Sequence, residues 1–509
     1  MWQSARSTQL RADLRGSKAL LIYLASLAVA VTTASAAPKA RAQASGQTAQ
    51  PPARALTRND FSIDLVTGPI VGPNRVVSLA GAYTALGYGI DNAAITPVAY
   101  GARTLWDTRW FEWDATLDYS PGAFRHTDFD NNGKSGVTNS DFLFVTGGAT
   151  AIVGDIGLGS LVRLQEYRIG KTAELALVIA NYGICYSFLD GQLLIGASAR
   201  TAVLTITDTT TRSSLVNFTG TGPEIGAVLG LGDLPFRIGL SARSAVTSAQ
   251  DNKAHTALGL TLPRSVSLPP ELQLGFAYQL GNRPLNRRWV NPHDRERELR
   301  NEMLERRGER QRQALRAEQV RARLRRVLET GPPKPSYGVL EDPDTLPEPR
   351  DREFWQPEIK LREREEEELH EQLALADVRY RRGLRALSRR YLLLSADALL
   401  IGATEDGVGL ESFLSQVRQV SGQHPSIGVR FGAEGEPIQN LVKLRVGSYL
   451  EPSRFADTMA RFHATMGLDL RLFAWNVFGL VDEFDLRVTA ALDLAERYRN
   501  FGFSVGIWH

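Results

Sequence analysis

Residues 484–494 read FDLRVTAALDL and alternate with a period of two. Phe484, Leu486, Val488, Ala490, Leu492 and Leu494 share one face, and Asp485, Arg487, Thr489 and Asp493 share the other. Successive strand residues point to opposite sides, so this stretch presents one apolar and one polar surface. Residues 461–473 (RFHATMGLDLRLF) repeat the pattern, with Phe462, Met466, Leu468 and Leu470 opposite His463, Thr465, Asp469 and Arg471. Residues 440–451 and 236–246 do the same, the latter setting Phe236, Ile238 and Leu240 against Arg237, Ser241 and Arg243. Strands of about ten residues that are apolar on one side only suit a membrane barrel, apolar outward and polar inward. A soluble sandwich with one wet face is the alternative.

Three features favour the barrel. The chain begins with a basic stretch (Arg6, Arg11, Arg15, Lys18), an uncharged apolar run LLIYLASLAVAV at 20–31, and small-residue sites at Ala34–Ala36 and Ala40–Ala42. That is the build of a secretory signal. The terminal NFGFSVGIWH is itself amphipathic with a penultimate Trp508, although His509 is an unusual last residue for such a strand. Fourteen candidate strands fall between 110 and 508, and their connections alternate between short and long. Short ones lie at 153–155, 189–191, 232–235, 437–439 and around Asn476; long ones at 120–141, 208–221, 247–270, 403–424 and 452–460. Even strand number, short periplasmic turns and long outer loops describe a single-chain outer-membrane barrel.

The expected fold is therefore all-β: a 14-stranded antiparallel transmembrane β-barrel with an N-terminal hatch and an inserted charged helical hairpin. Its divisions are a signal peptide (1–42), a disordered leader (43–59), the hatch (60–109), strands 1–8 (110–286), the insertion (287–390) and strands 9–14 (391–509). The insertion has its own composition, with 48 of its 104 residues charged. Residues 293–329 read as a long helix, the prolines between 332 and 357 break it, and 358–390 read as a second helix. Strand parity places this hairpin on the periplasmic side, as a solvated insertion or as a contact for peptidoglycan or a periplasmic protein. The formal charge of the 509-residue chain is only +3, which with export argues against nucleic acid as a partner. The single cysteine, Cys185, excludes an intramolecular disulfide and a cysteine zinc site.

Val76–Arg103, VVSLAGAYTALGYGIDNAAITPVAYGAR, resembles the N-terminal hatch of the FadL/TodX family of outer-membrane transporters for hydrophobic compounds. The family's glycine-rich pattern is met at Gly81, Ala82, Ala85, Asp91, Ala93, Ala94, Pro97 and Ala99. Thr96 replaces the usual asparagine, and Val98 and Tyr100 depart from it. Pro235–Val246 (PFRIGLSARSAV) and Leu268–Leu280 are similar to two of the family's strands, whereas the helical insertion has no counterpart. The resemblance implies a monomeric barrel in the bacterial outer membrane that takes up long-chain fatty acids or other hydrophobic compounds. It implies capture at the outer loops, a hatch-gated pocket and lateral release into outer-membrane lipid beside a kinked strand. Val77, Leu79, Tyr83, Leu86 and Ile90 are the expected hatch contacts, and Gly157 and Gly159 the expected kink. The alternative is a barrel that no longer transports and anchors a periplasmic partner through its hairpin.

No enzyme is expected, because no G-x-S-x-G elbow is present at a strand-to-helix turn. No cofactor or metal is expected either. Asp128, Asp130, Asn132 and Gly133 imitate the start of a calcium loop, but its twelfth position is Asn139 rather than glutamate, which favours a polar turn.

Overall fold

The computed structural model describes residues 54–121, 128–133, 143–232, 234–250, 256–330, 366–367, 370–376, 378–380, 382–384, 387, 389–475 and 484–508. The expected signal, most of the leader, the turn at Asn476, Asn139 and part of the second insertion helix lie outside those residues.

Fourteen strands close into one antiparallel barrel. They are β1 (Phe111–Pro121), β2 (Leu143–Val153), β3 (Ile156–Ile169), β4 (Ala173–Phe188), β5 (Leu193–Asp208), β6 (Ser214–Leu229) and β7 (Phe236–Arg243). Then follow β8 (Glu271–Leu280), β9 (Leu392–Ile401), β10 (Ser426–Ile438), β11 (Val442–Glu451), β12 (Arg461–Trp475), β13 (Phe484–Ala495) and β14 (Tyr498–Ile507). Each strand pairs with its chain neighbours, and β14 returns to β1. The period-two reading holds along β13. Arg487, Thr489 and Asp493 are buried inside, while Leu486, Val488 and Leu492 face outward. Leu240, Leu274, Phe431, Met466 and Phe503 stand exposed on the outer surface, which only lipid can cover. Trp110, Phe111, Phe188, Tyr278 and Trp475 are exposed at the short-turn ends of their strands, as in the aromatic girdle of a membrane interface. No described helix is long and apolar enough to cross a membrane, so the strands do it.

Two expectations change. The loop expected at 208–221 shrinks to 209–213, because β6 begins at Ser214 and its Val216 and Phe218 turn inward beside Ile206 and Leu204 of β5. The inward face is also not uniformly polar. In the long-loop half of β4–β6, Leu175, Leu177, Leu204, Ile206, Val216 and Phe218 are buried in the lumen. Leu56, Phe61, Ile63 and Leu65 pack on them from the N-terminal side, together with Phe129, Leu410 and Phe413 of the outer loops.

Residues 290–387 form a second unit, inserted in the chain between β8 and β9. Helix α2 (Pro292–Thr330) is held by pairs one turn apart, Arg300–Glu296 and Arg306–Glu302, both at 3.5 Å. Leu304, Leu315, Val320 and Leu324 remain exposed along it. Leu280 and Leu392 pair directly, so the barrel register does not need the insertion. Replacing 290–387 by a short Gly-Ser linker is expected to leave a barrel whose unboiled form still migrates faster than its boiled form on a denaturing gel. Loss of that mobility difference would show that the insertion is required for closure.

Candidate functional site

The N-terminal segment enters from the long-loop end and crosses the lumen. Ser62–Asp64 runs parallel to Ser265–Ser267 and Gly407–Gly409, two short strands in outer loops. Helix α1 (Asn74–Ser78) and 3-10 turns at Ile90–Ala94 and Pro97–Tyr100 follow, every residue of them buried. The segment leaves at the short-turn end, where the Arg103 guanidinium donates to Gly154 O at 2.7 Å and Trp110 O at 2.9 Å.

Wall glycines make room for it. Gly159–Gly183, Gly196–Gly226, Gly239–Gly275 and Gly432–Gly447 are directly opposed pairs on neighbouring strands. A methyl carbon at any of the eight would lie within 2.8 Å of a hatch atom belonging to Tyr100, Pro97, Thr96, Thr84, Leu79 or Ala80. Gly157 belongs to the same seat, since a side chain there would meet the Tyr100 carbonyl. At the expected kink, Gly157 and Gly159, β3 carries no bulge: it keeps continuous register with β2 from Val153–Ile156 to Leu143–Glu166 and with β4 along its whole length. Here glycine admits a close approach of backbone and ring.

Charges then lock the hatch. Asp91 accepts from Arg487 at 2.9 Å and lies 3.7 Å from Arg75. Arg445 bridges Glu434 at 2.6 Å and Asp469 at 2.7 Å, and Arg243 bridges Glu224 at 2.6 Å and Glu271 at 3.0 Å while donating to Ala94 O. Asp397 accepts from the Thr84 backbone at 2.9 Å and hydroxyl at 2.7 Å. Breaking a buried pair costs about 3–5 kcal/mol, so the network holds one hatch position.

Of the expected hatch contacts, Val77, Leu79, Tyr83 and Leu86 fall in one apolar cluster with Tyr391, Leu393 and Tyr449. Ile90 falls in another with Val98, Tyr100 and Leu161. None of the five lines the cavity of about 130 Å3 on the long-loop side of the hatch. That cavity is bounded by Leu65–Gly72, Val76, Ile95, Ile179, Leu268, Leu399 and Ile401, and by Arg163, Arg200, Arg243, Arg430 and Glu271. Arg200 and Arg243 pair with Glu271. Arg163 reaches only Asn181 Oδ1 at 3.4 Å and Arg430 only Gly81 O at 3.4 Å, so neither has a carboxylate among the described residues. Period two alone places Arg163 inward with Leu161 and Gln165, a signal that sequence reading passed over. On the other side of the hatch a cavity of about 70 Å3 is lined by Tyr88, Trp106, Trp289, Arg237 and Arg283.

Among the described residues the closing joint has the fewest paired positions. There β1 and β14 pair Thr116–Tyr119 with Gly506–Phe503. Asn74 straddles this seam, its backbone N–H donating to Asp118 Oδ1 and its amide to Phe503 O, both at 2.8 Å.

A closed wall, a lipid-covered exterior and an ionic interior leave one environment for the chain. It is an outer-membrane β-barrel. No family model and no curated protein sequence matches it. Solved structures similar in fold include a Pseudomonas aeruginosa FadL homologue, at 10% identity and TM-score 0.41, covering 88% of this chain and 99% of that one. The Ralstonia pickettii toluene transporter TbuX compares at 9% identity and TM-score 0.43, covering 87% and 99%. The Pseudomonas putida toluene transporter TodX compares at 11% and 0.39, covering 88% and 97%.

Gly157→Val is expected to destabilise the seated hatch by about 1–3 kcal/mol, as overpacking does. The readouts are a lower melting temperature and a higher ion conductance in planar bilayers. Wild-type values for both would show that the hatch does not rest on β3.

Proposed function

We propose that the barrel takes up apolar molecules bearing a carboxylate, long-chain fatty acids foremost, from outside the cell. The observation that carries this reading is the lumenal cavity where an apolar wall meets Arg163 and Arg430. A carboxylate there would satisfy two half-buried guanidiniums in the geometry arginine favours. The alkyl chain would lie along Leu175, Leu177, Leu204 and Phe218, gaining about 0.8 kcal/mol per buried CH₂ and displacing Leu56–Leu65. The hatch then acts as the gate, with Val77, Leu79, Tyr83, Leu86 and Ile90 as the surfaces that must slide. Release is sideways at the β1–β14 seam, which four residue pairs and Asn74 hold shut. The protein works as a monomer without enzymatic chemistry.

A second reading has its own support. Arg445 with Glu434 and Asp469, and Arg487 with Asp91, block the lumen at hatch level, as suits a barrel that does not transport. In that reading, residues 290–387 hold a periplasmic protein or peptidoglycan.

Binding of a fluorescent fatty acid and of the matching fatty alcohol to delipidated protein separates the two. Arg163→Gln with Arg430→Gln is expected to weaken the acid about tenfold and leave the alcohol unchanged, about 1.4 kcal/mol of charge-assisted hydrogen bonding. Absence of saturable binding of either probe to the folded wild-type barrel would refute uptake of such ligands.

A further inference from the structure

We propose that Asp128, Asp130 and Glu411 form a calcium site that ties the loop after β1 to the loop between β9 and β10. The sequence offers only the first half of such a site, DFDNNG at 128–133, and lacks a glutamate at position 139. The fold supplies the missing carboxylate from 281 residues away in the chain. One carboxylate oxygen from each of the three residues lies within 4.8 Å of the others. All three side chains are nearly inaccessible, at 2% for Asp128, 5% for Asp130 and 1% for Glu411.

Backbone N–H groups account for most of the other oxygens. Asp128 accepts from Asn132 N at 2.9 Å and Gly133 N at 3.0 Å, and Gly133 turns the loop at φ 80°. Asp130 Oδ2 accepts from Glu411 N at 3.1 Å, and Glu411 Oε2 accepts from Phe129 N at 3.0 Å. Asp130 Oδ1 is left buried with no partner. Arg461 lies 3.9 Å from Asp128 and is committed to Glu451 at 2.8 Å. Three buried carboxylates thus stand together at the outer cap. A buried charge needs a counter-ion or a proton. Hard, oxygen-only ligands with a compact negative charge suit Ca²⁺, whose remaining positions carbonyls and water complete. Bound calcium would fix the outer cap, because Phe129 and Glu411 stand beside Phe413 and Leu410 over the apolar chamber.

The test is calorimetric titration of the full-length protein in detergent, freed of metal with EGTA, using CaCl₂ and separately MgCl₂. Expected is saturable Ca²⁺ binding at submillimolar to millimolar concentration, as in extracellular modules. At ten times the dissociation constant the folding equilibrium should rise about tenfold. Asp130→Asn and Glu411→Gln are each expected to weaken Ca²⁺ at least tenfold. Neither should lower the melting temperature in EGTA, since each removes a buried like charge. Absence of Ca²⁺ heat up to ~10 mM, or Mg²⁺ binding as tight as Ca²⁺, would overturn the site and leave a shared proton between Asp130 and Glu411 as the explanation. Unchanged Ca²⁺ affinity in both variants would overturn it equally.

Discussion

The contact between the hatch backbone and the barrel wall decides how everything else in the lumen is arranged. A closed sheet has a fixed interior, and a folded segment laid across it must touch the wall from both sides. Four opposed glycine pairs remove side chains where Tyr100, Pro97, Thr84 and Leu79 approach. With the backbones in contact, carbonyls and N–H groups of the hatch come within reach of wall side chains. Arg243 then reaches Ala94 O, and Asp397 reaches the Thr84 N–H. Dense packing and polar satisfaction are therefore one arrangement rather than two.

The ions follow from that arrangement. Water cannot solvate Arg445 and Arg487 at hatch level, so Glu434 and Asp469 solvate the first and Asp91 the second. Such pairs add little net stability, but removing one member strands the other. They fix the hatch in one place and oppose its movement. A transport cycle has to exchange those pairs for others, whereas a non-transporting barrel keeps them. The apolar chamber and the two arginines that meet no carboxylate among the described residues support the proposed transport reading.

Much of the wall was legible in the sequence. β13, β12 and β11 are amphipathic at period two, and their ends fall within two residues of the positions read from FDLRVTAALDL and its neighbours. The hatch was legible as a glycine-rich apolar stretch, but its contacts were not. Gly157 and Gly159 illustrate the difference. Glycine in a strand means a bend or a close approach, and the strand's own residues cannot say which. Likewise β4, AELALVIANYGICYSF, hides an apolar inner face, because hydrophobic residues on both sides blur the alternation.

By itself, the sequence determined the fourteen-strand wall, the membrane it crosses and the strand positions apart from the first half of β6. Those depend on local alternation and on the rule that no backbone polar group stays unpaired in lipid. Tertiary structure alone decided which wall residue meets which hatch residue, where the two cavities open, and that Glu411 stands beside Asp130. These are contacts between residues tens to hundreds of positions apart. Their register is set by barrel closure and packing, not by any feature of either segment taken separately.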